Sequence, residues 1–224
     1  MTRILIADDH DIVRSGIRSI LENEPGIQVC GEATDGNEVV DLSRTLKPDL
    51  VVLDFYMPRR NGLEAARQIL SENPMQKILF LTVVDSEEAA REILDVGARG
   101  YVLKSDAAHE LVDSVNNLMR NRLYFTTRVS NMVLEGYLNP NMIADRTPST
   151  LTSREREIVQ LIAEGYVTKE VASMLGVSVK TAETHRSNIM RKLKIHSVAE
   201  LVLYAVRNNI VQNASSNWWH ATAA

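Results

Sequence analysis

Apolar residues are laid out along the first half of the chain in two alternating rhythms. Short runs at residues 3–7, 27–33, 50–54, 77–82 and 100–104 are mostly apolar and β-branched. Such runs, bounded by turn residues, predict strands buried on both faces. Between them the apolar positions recur every three or four residues, which predicts helices. Ile12, Val13, Ile17, Ile20 and Leu21 mark the first, stopped by Glu24-Pro25-Gly26. Val39, Val40, Leu42 and Leu46 mark the second, ended at Lys47-Pro48, and Leu63, Ala66, Ile69 and Leu70 the third. Ser86 opens a fourth with Glu87 and Glu88 in its first turn, where carboxylates suit the helix dipole, and Gly97 closes it. Asp106 is the expected N-cap of a fifth, through Leu111, Val115 and Leu118. Five consecutive strand–helix units predict an α/β fold, a doubly wound parallel sheet of five strands with right-handed crossovers.

The polar residues at the strand ends change the picture. Open parallel sheets place their chemistry at the carboxyl edge, and there the runs end in Asp8-Asp9, Asp54, Thr82 and Lys104. Pro58 and Asn61-Gly62 stop the chain from continuing as strand after Asp54. Each residue alone reads as a cap or a solvated turn residue. Together they argue for a shared ligand site. Three crowded carboxylates repel one another, and a divalent cation relieves the clash; Mg²⁺ favours oxygen ligands and phosphates. A neighbouring ammonium and hydroxyl add donors for phosphoryl oxygens. The set suits a phosphoryl group carried on a carboxylate, with Asp54 as nucleophile and Mg²⁺ and Lys104 stabilising the transferred charge.

A different pattern follows residue 121. Phe125, Val129, Met132, Val133 and Leu134 suggest an amphipathic helix over 122–138, broken by Asn139-Pro140-Asn141, and a polar stretch with Pro148 completes a linker over 122–149. Four short helices then fill 150–211. Thr152 and Glu155 form a capping-box signature ahead of Ile158, Val159, Leu161 and Ile162, and Gly165 ends that helix. Thr168 is the expected cap of a second, with Val171, Ala172 and Leu175 inward; Gly176 suits the left-handed turn after it, and Ser178 caps a third over 179–193. Helix, Gly-containing turn, helix is the helix-turn-helix arrangement. Ala182, Ile189 and Leu193 share one face of the third helix. Lys180, Thr181, Glu183, Thr184, Ser187, Asn188, Arg191 and Lys192 occupy the other side, where cations suit phosphates and the polar side chains suit base edges. His185 lies beside the packed stripe and reads as packing, since no zinc-site partners accompany it. Residues 212–224, with Trp218-Trp219, form a tail.

Charge divides the chain in the same place. Residues 1–121 hold 13 Lys/Arg against 21 Asp/Glu, a net −8, whereas residues 151–211 hold 9 against 6, a net +3. Acidic and basic halves imply different partners. Cys30 is the only cysteine, so an intrachain disulfide is excluded. No apolar run approaches a membrane span and the first residues lack a signal-peptide layout, so a cytoplasmic protein is expected.

The motifs carry two resemblances. Asp8-Asp9, Asp54 with Met57-Pro58 and Gly62, Leu81-Thr82, and Tyr101-Val102-Leu103-Lys104 resemble a flavodoxin-like response-regulator receiver domain over residues 1–121. The resemblance implies that Asp54 takes a phosphoryl group from a histidine kinase. It implies Mg²⁺ held by Asp9, Asp54 and the backbone carbonyl of Tyr56, with Asp8 assisting. Lys104 and Thr82 would bind the phosphoryl oxygens, and Tyr101 would act as the switch aromatic. Residues 150–211, from Leu151-Thr152-Ser153-Arg154-Glu155 through Thr181 to Leu193, resemble the LuxR-type helix-turn-helix. The pairing is similar to the NarL/FixJ class. It implies a homodimer when phosphorylated, paired half-sites on double-stranded DNA, RNA polymerase as a further candidate contact, and dimer contacts from Val198, Leu201, Val202 or Ala205.

Two positions depart from the receiver pattern. Ser105 follows Lys104 where many receivers have Pro, and Val83 follows Thr82 where a smaller residue is common. An enzymatic alternative, a haloacid-dehalogenase-type phosphatase, needs a second Asp two residues after the nucleophile, and that position is Tyr56. A phosphorylation-independent DNA-binding regulator with a relic receiver is the other reading.

Overall fold

β3 (Leu50–Leu53) has all four residues buried and lies inside the sheet. In the computed structural model, which describes residues 1–127, 129–131 and 151–212, it is flanked by β1 (Thr2–Ala7) and β4 (Lys77–Thr82). With β2 (Ile27–Ala33) and β5 (Gly100–Leu103), and a short β6 (Tyr124–Phe125), the sheet order is β2-β1-β3-β4-β5-β6, every pair parallel. The chain divides into two units, Met1–Arg146 and Thr147–Ala224.

Alternate strand residues feed two cores, because successive side chains point to opposite faces. Leu5, Val51, Leu53, Ile78, Phe80 and Tyr101 pack with Val39, Leu63, Ile69 and Ile93 of α2 (Gly36–Leu46), α3 (Gly62–Glu72) and α4 (Glu87–Asp95). Ile4, Ile6, Leu50, Val52, Leu79 and Val102 pack with Ile17, Leu21, Leu111, Val115 and Leu118 of α1 (Asp11–Glu22) and α5 (Ala107–Met119). The helices begin where side chains satisfy their first N–H groups. Asp35 accepts from Asn37 and Glu38, Asn61 from Glu64, and Ser86 from Ala89.

The sheet has six strands rather than the five expected. Leu123-Tyr124-Phe125 follows Asn121 in a left-handed turn, and Tyr124 N–H donates to Arg99 O at 3.0 Å, adding a parallel strand beside β5. Two residues give no period to read, so the helix expected from 122 onward begins too early. Val129 is buried in the core with the α2–α4 face, and the rest of that helix and linker, from residue 132, lies outside the described residues, as does Trp218-Trp219. Ile12 is 89% exposed although its spacing placed it on the packed face of α1. Lys104 lies past β5 in a 3-10 turn, Lys104–Asp106, and Asp106 precedes α5 without a side-chain cap bond. Its carboxylate accepts from the Ser105 hydroxyl at 2.9 Å instead. No peptide among the described residues is cis.

The second unit is built from α6 (Ser153–Ala163), α7 (Thr168–Met174), α8 (Val179–Leu193) and α9 (Val198–Arg207) around Ile158, Val159, Leu161, Val171, Ile189 and Leu201. Thr152 and Glu155 make a reciprocal capping box, and Ser178 and Ser197 cap α8 and α9. Thr168 does not cap α7. It is the first helical residue, and the Glu170 carboxylate instead accepts from Val167 N–H at 2.9 Å. Gly176 turns the chain between α7 and α8 at φ +65°. No described helix is long and apolar enough to cross a membrane.

Gly62 sets the approach of α3 to the end of β3. A Cβ there would lie 1.9 Å from Asp54 O, a backbone atom with no room to yield. Gly62→Ala should lower the unfolding free energy by about 1–3 kcal/mol, the usual cost of overpacking. A urea titration that shows no shift in midpoint would refute the close approach.

Candidate functional site

The strand ends bring four charged side chains into one buried pocket. Asp54 follows β3 directly, and its backbone N–H donates to Ala7 O at 2.9 Å, holding the turn against β1. Its carboxylate is 3% exposed. One oxygen, Oδ1, accepts from Phe55 N–H at 2.7 Å, and the other, Oδ2, lies 2.8 Å from Lys104 Nζ. The same ammonium is 2.7 Å from Asp8 Oδ2. Asp8 is 1% exposed, and its Oδ1 accepts from His10 N–H at 2.9 Å. Asp9 is more open, and its Oδ1 lies 2.8 Å from His10 Nδ1. One ligand atom from each of Asp8, Asp9, His10 and Asp54 falls within 4.8 Å of the others. This oxygen-rich group fits a divalent cation of the Mg²⁺ type, which takes one or two carboxylates and keeps waters.

The remaining predicted residues line the same edge. Thr82 is fully buried at the end of β4, its hydroxyl near enough to Asp54 to favour the charged carboxylate and accepting from Val84 N–H at 3.2 Å. Tyr101 is fully buried, and its hydroxyl donates to the carbonyl of Val84. Burial raises the Tyr101 phenol well above its ordinary range, with Asp85 adding to the effect. Tyr56 is half-buried, and burial with Glu92, Asp54 and Glu88 nearby pushes its phenol up to about 12. Val83, between Thr82 and Val84, is exposed.

The electrostatics follow from burial and crowding. Desolvation pushes the Asp54 carboxyl up to about 6; Lys104 opposes the rise, Asp8 adds to it, and the Thr82 hydroxyl opposes it. Burial alone would lower the Lys104 ammonium, but Asp54 and Asp8 raise it on balance. The lysine is therefore the counter-ion of the carboxylates in this arrangement.

Two supporting residues were not apparent in the sequence. Arg14, on α1, donates to Asp8 O at 2.8 Å and pairs with Glu32 of β2 at 3.0 Å, holding the turn that presents Asp8. Its partner is 18 residues away, so no local pattern reveals it. His10 anchors Asp8 and Asp9 from the residue preceding α1. A third tie joins Asp35 to Arg59 at 3.0 Å, with Arg59 in the left-handed region at φ +66° in the loop after Asp54.

In the helical unit, α8 exposes Lys180, Thr181, Glu183, Thr184, Ser187, Asn188, Arg191 and Lys192 and buries Ala182 and Ile189. Lys192 also pairs within its own unit, its Nζ lying 2.7 Å from Glu155 Oε2 in the capping box of α6. His185 is partly buried. On α9, Leu201 and Ala205 belong to the core, while Val198 and Leu203 are exposed.

The family model of the response regulator receiver domain matches residues 4–116, and that of the bacterial regulatory proteins of the luxR family matches residues 149–205. The chain belongs to the response regulators with a LuxR-type output domain. Transcriptional regulatory protein LiaR of Bacillus subtilis is 36% identical over 211 residues, covering 94% of this chain and all of that protein. Response regulator protein VraR of Staphylococcus aureus is 36% identical over 210 residues, covering 94% of this chain and 99% of that one. Among solved structures, a LuxR-family regulator from Aurantimonas sp. is 34% identical with a TM-score of 0.60, covering 62% of this chain and 99% of that one. RcsB of Salmonella typhimurium is 27% identical with a TM-score of 0.57, covering 92% and 98%. Such response regulators act in two-component systems to control transcription, with phosphorylation as the family's control, and transcriptional regulators are not an enzyme class.

The raised Asp54 carboxyl makes a prediction for this response regulator. A carboxyl whose pKa rises on folding favours the folded state at low pH, and that advantage is lost as pH climbs from about 4 to about 6. Above that range the metal-free fold carries a cost on the order of 2–3 kcal/mol, at 1.36 kcal/mol per pKa unit. Asp54→Asn should therefore stabilise the metal-free protein at pH 7.5 and leave it unchanged or weaker at pH 4. Equal urea midpoints for both proteins at both pH values would contradict this.

Proposed function

We propose that Asp54 is the phosphoryl acceptor and that its modification controls DNA binding by the helical unit. The observation that carries the reading is the Lys104 ammonium shared between Asp8 and Asp54, with Thr82 buried at the neighbouring strand end. A carboxylate oxygen of Asp54 attacks the phosphorus of a phosphohistidine on the partner kinase. The new P–O bond forms as the P–N bond breaks, and the imidazole leaves with the electron pair. Asp9, Asp54 and the Tyr56 carbonyl would hold Mg²⁺, with Asp8 assisting, and the ion would neutralise charge on the phosphoryl oxygens. Lys104 then exchanges its Asp54 oxygen for a phosphoryl oxygen, and Thr82 donates its hydroxyl to another.

That exchange supplies the switch. Phosphorylation adds charge and strong acceptors at the end of β3. Movement of Thr82 draws on Val84, whose N–H it holds and whose carbonyl accepts from Tyr101. Tyr101, as the switch aromatic, would change rotamer as that bond is altered, carrying the signal to the start of α4. The unphosphorylated receiver would restrain the output unit, and phosphorylation would release it and favour dimers.

For the output unit, α8 enters the major groove and α9 offers Val198 and Leu203 for the dimer contact. RcsB has been solved as a DNA complex, at 26% identity and a TM-score of 0.58, and as two dimers bound to two parallel DNAs. Those findings support the same mode here. The relic-receiver reading is disfavoured, because the acidic group, hydroxyl and ammonium meet in one pocket. A cytoplasmic protein receiving its phosphoryl group from a histidine kinase is consistent with these features.

Incubation with Mg²⁺ and acetyl phosphate should add one phosphoryl increment to the intact mass and none to Asp54→Asn. An increment retained in the variant would sink the assignment, and none in the folded wild type would favour the relic receiver. Val83→Ala should shorten the lifetime of the phosphorylated form, since Val83 stands beside Thr82 and narrows the approach of water. An unchanged dephosphorylation rate would remove that role.

A further inference from the structure

The DNA-facing side of α8 carries one anion. Glu183 is the only acidic residue between Val179 and Leu193, and its side chain is 50% exposed. Set against DNA, a carboxylate faces a field of phosphate charge and loses hydration, so it is tolerated there only where it meets a hydrogen-bond donor.

Neighbouring side chains narrow what that donor is. Thr184 Oγ1 donates to Lys180 O at 2.9 Å, which uses its only donor. Asn188 Oδ1 accepts from Arg191 Nη2 at 2.9 Å. Lys180 Nζ lies 3.9 Å from Glu183 Oε2, one turn nearer the helix start. The helix thus sets a cation and an anion side by side at its first turns.

Base edges in the major groove present two donors, the amino groups of cytosine and adenine. Adenine places its N7 acceptor beside the amino group, which repels a carboxylate. Cytosine has no acceptor beside its amino group, and its paired guanine shows O6 and N7, which suit the adjacent ammonium. We propose that Glu183 is a specificity-determining residue, that it requires a cytosine in each DNA half-site, and that Lys180 addresses the guanine side. The inference rests on the DNA-binding reading above.

The test is in vitro selection from a randomised duplex pool, using the full chain treated with Mg²⁺ and acetyl phosphate. Wild type should enrich C at one position of each half-site, and Glu183→Ala should flatten the preference there while keeping the others. At 1–3 kcal/mol for a good base contact, discrimination at that position should fall roughly 5-fold or more. Glu183→Gln should move the preference toward adenine, whose amino and N7 groups match a side-chain amide. A merely structural residue would not produce this change of base. Equal thermal midpoints for the three proteins would show that folding is intact. Enrichment by wild type with the same base frequencies in both variants would overturn the assignment of Glu183 alone. No enriched sequence from wild type would overturn the DNA-binding reading and the inference with it.

Discussion

One ammonium shared by two buried carboxylates is the interaction on which the receiver depends. Asp8 and Asp54 follow adjacent parallel strands, and Lys104, just past β5, is the cation that both carboxylates share. Breaking such a pair leaves an uncompensated buried charge, commonly a cost of 3–5 kcal/mol. The arrangement is therefore held in place yet poised, because any group that brings its own charge into the pocket competes for the lysine. The surrounding ties serve that balance. Arg14 fixes the carbonyl of Asp8, Phe55 N–H fixes one oxygen of Asp54, and Gly62 keeps α3 close beneath it.

Much of this was legible from local pattern alone. The strands at residues 27–33 and 77–82 and the helix from Val179 to Leu193 fall where their apolar runs and caps place them. Caps are readable because a serine or asparagine and its N–H partner sit three residues apart. The pocket was readable because parallel topology delivers every strand end to one edge.

What the pattern concealed is non-local. β6 is two residues long and owes its existence to hydrogen bonds with β5, over twenty residues earlier. Ile12 has helical spacing yet no element among the described residues covers it. Lys192 has an acceptor in Glu155, 37 residues earlier, which no local spacing displays. Spacing also could not divide α9, where Leu201 and Ala205 turn to the core and Val198 does not.

The smallest strand has the widest consequence. β5 consists of four buried residues, Gly100–Leu103, and without Tyr124–Phe125 its N–H and C=O groups would line an open edge. Open, flat, apolar edges recruit strands from other molecules. The far edge protects itself differently, since β2 carries polar Gln28 and Glu32 and slips register against β1 between Ile4 and Leu5. A fragment cut at residue 121 would retain every residue of the acidic pocket and still lose its guard against self-association.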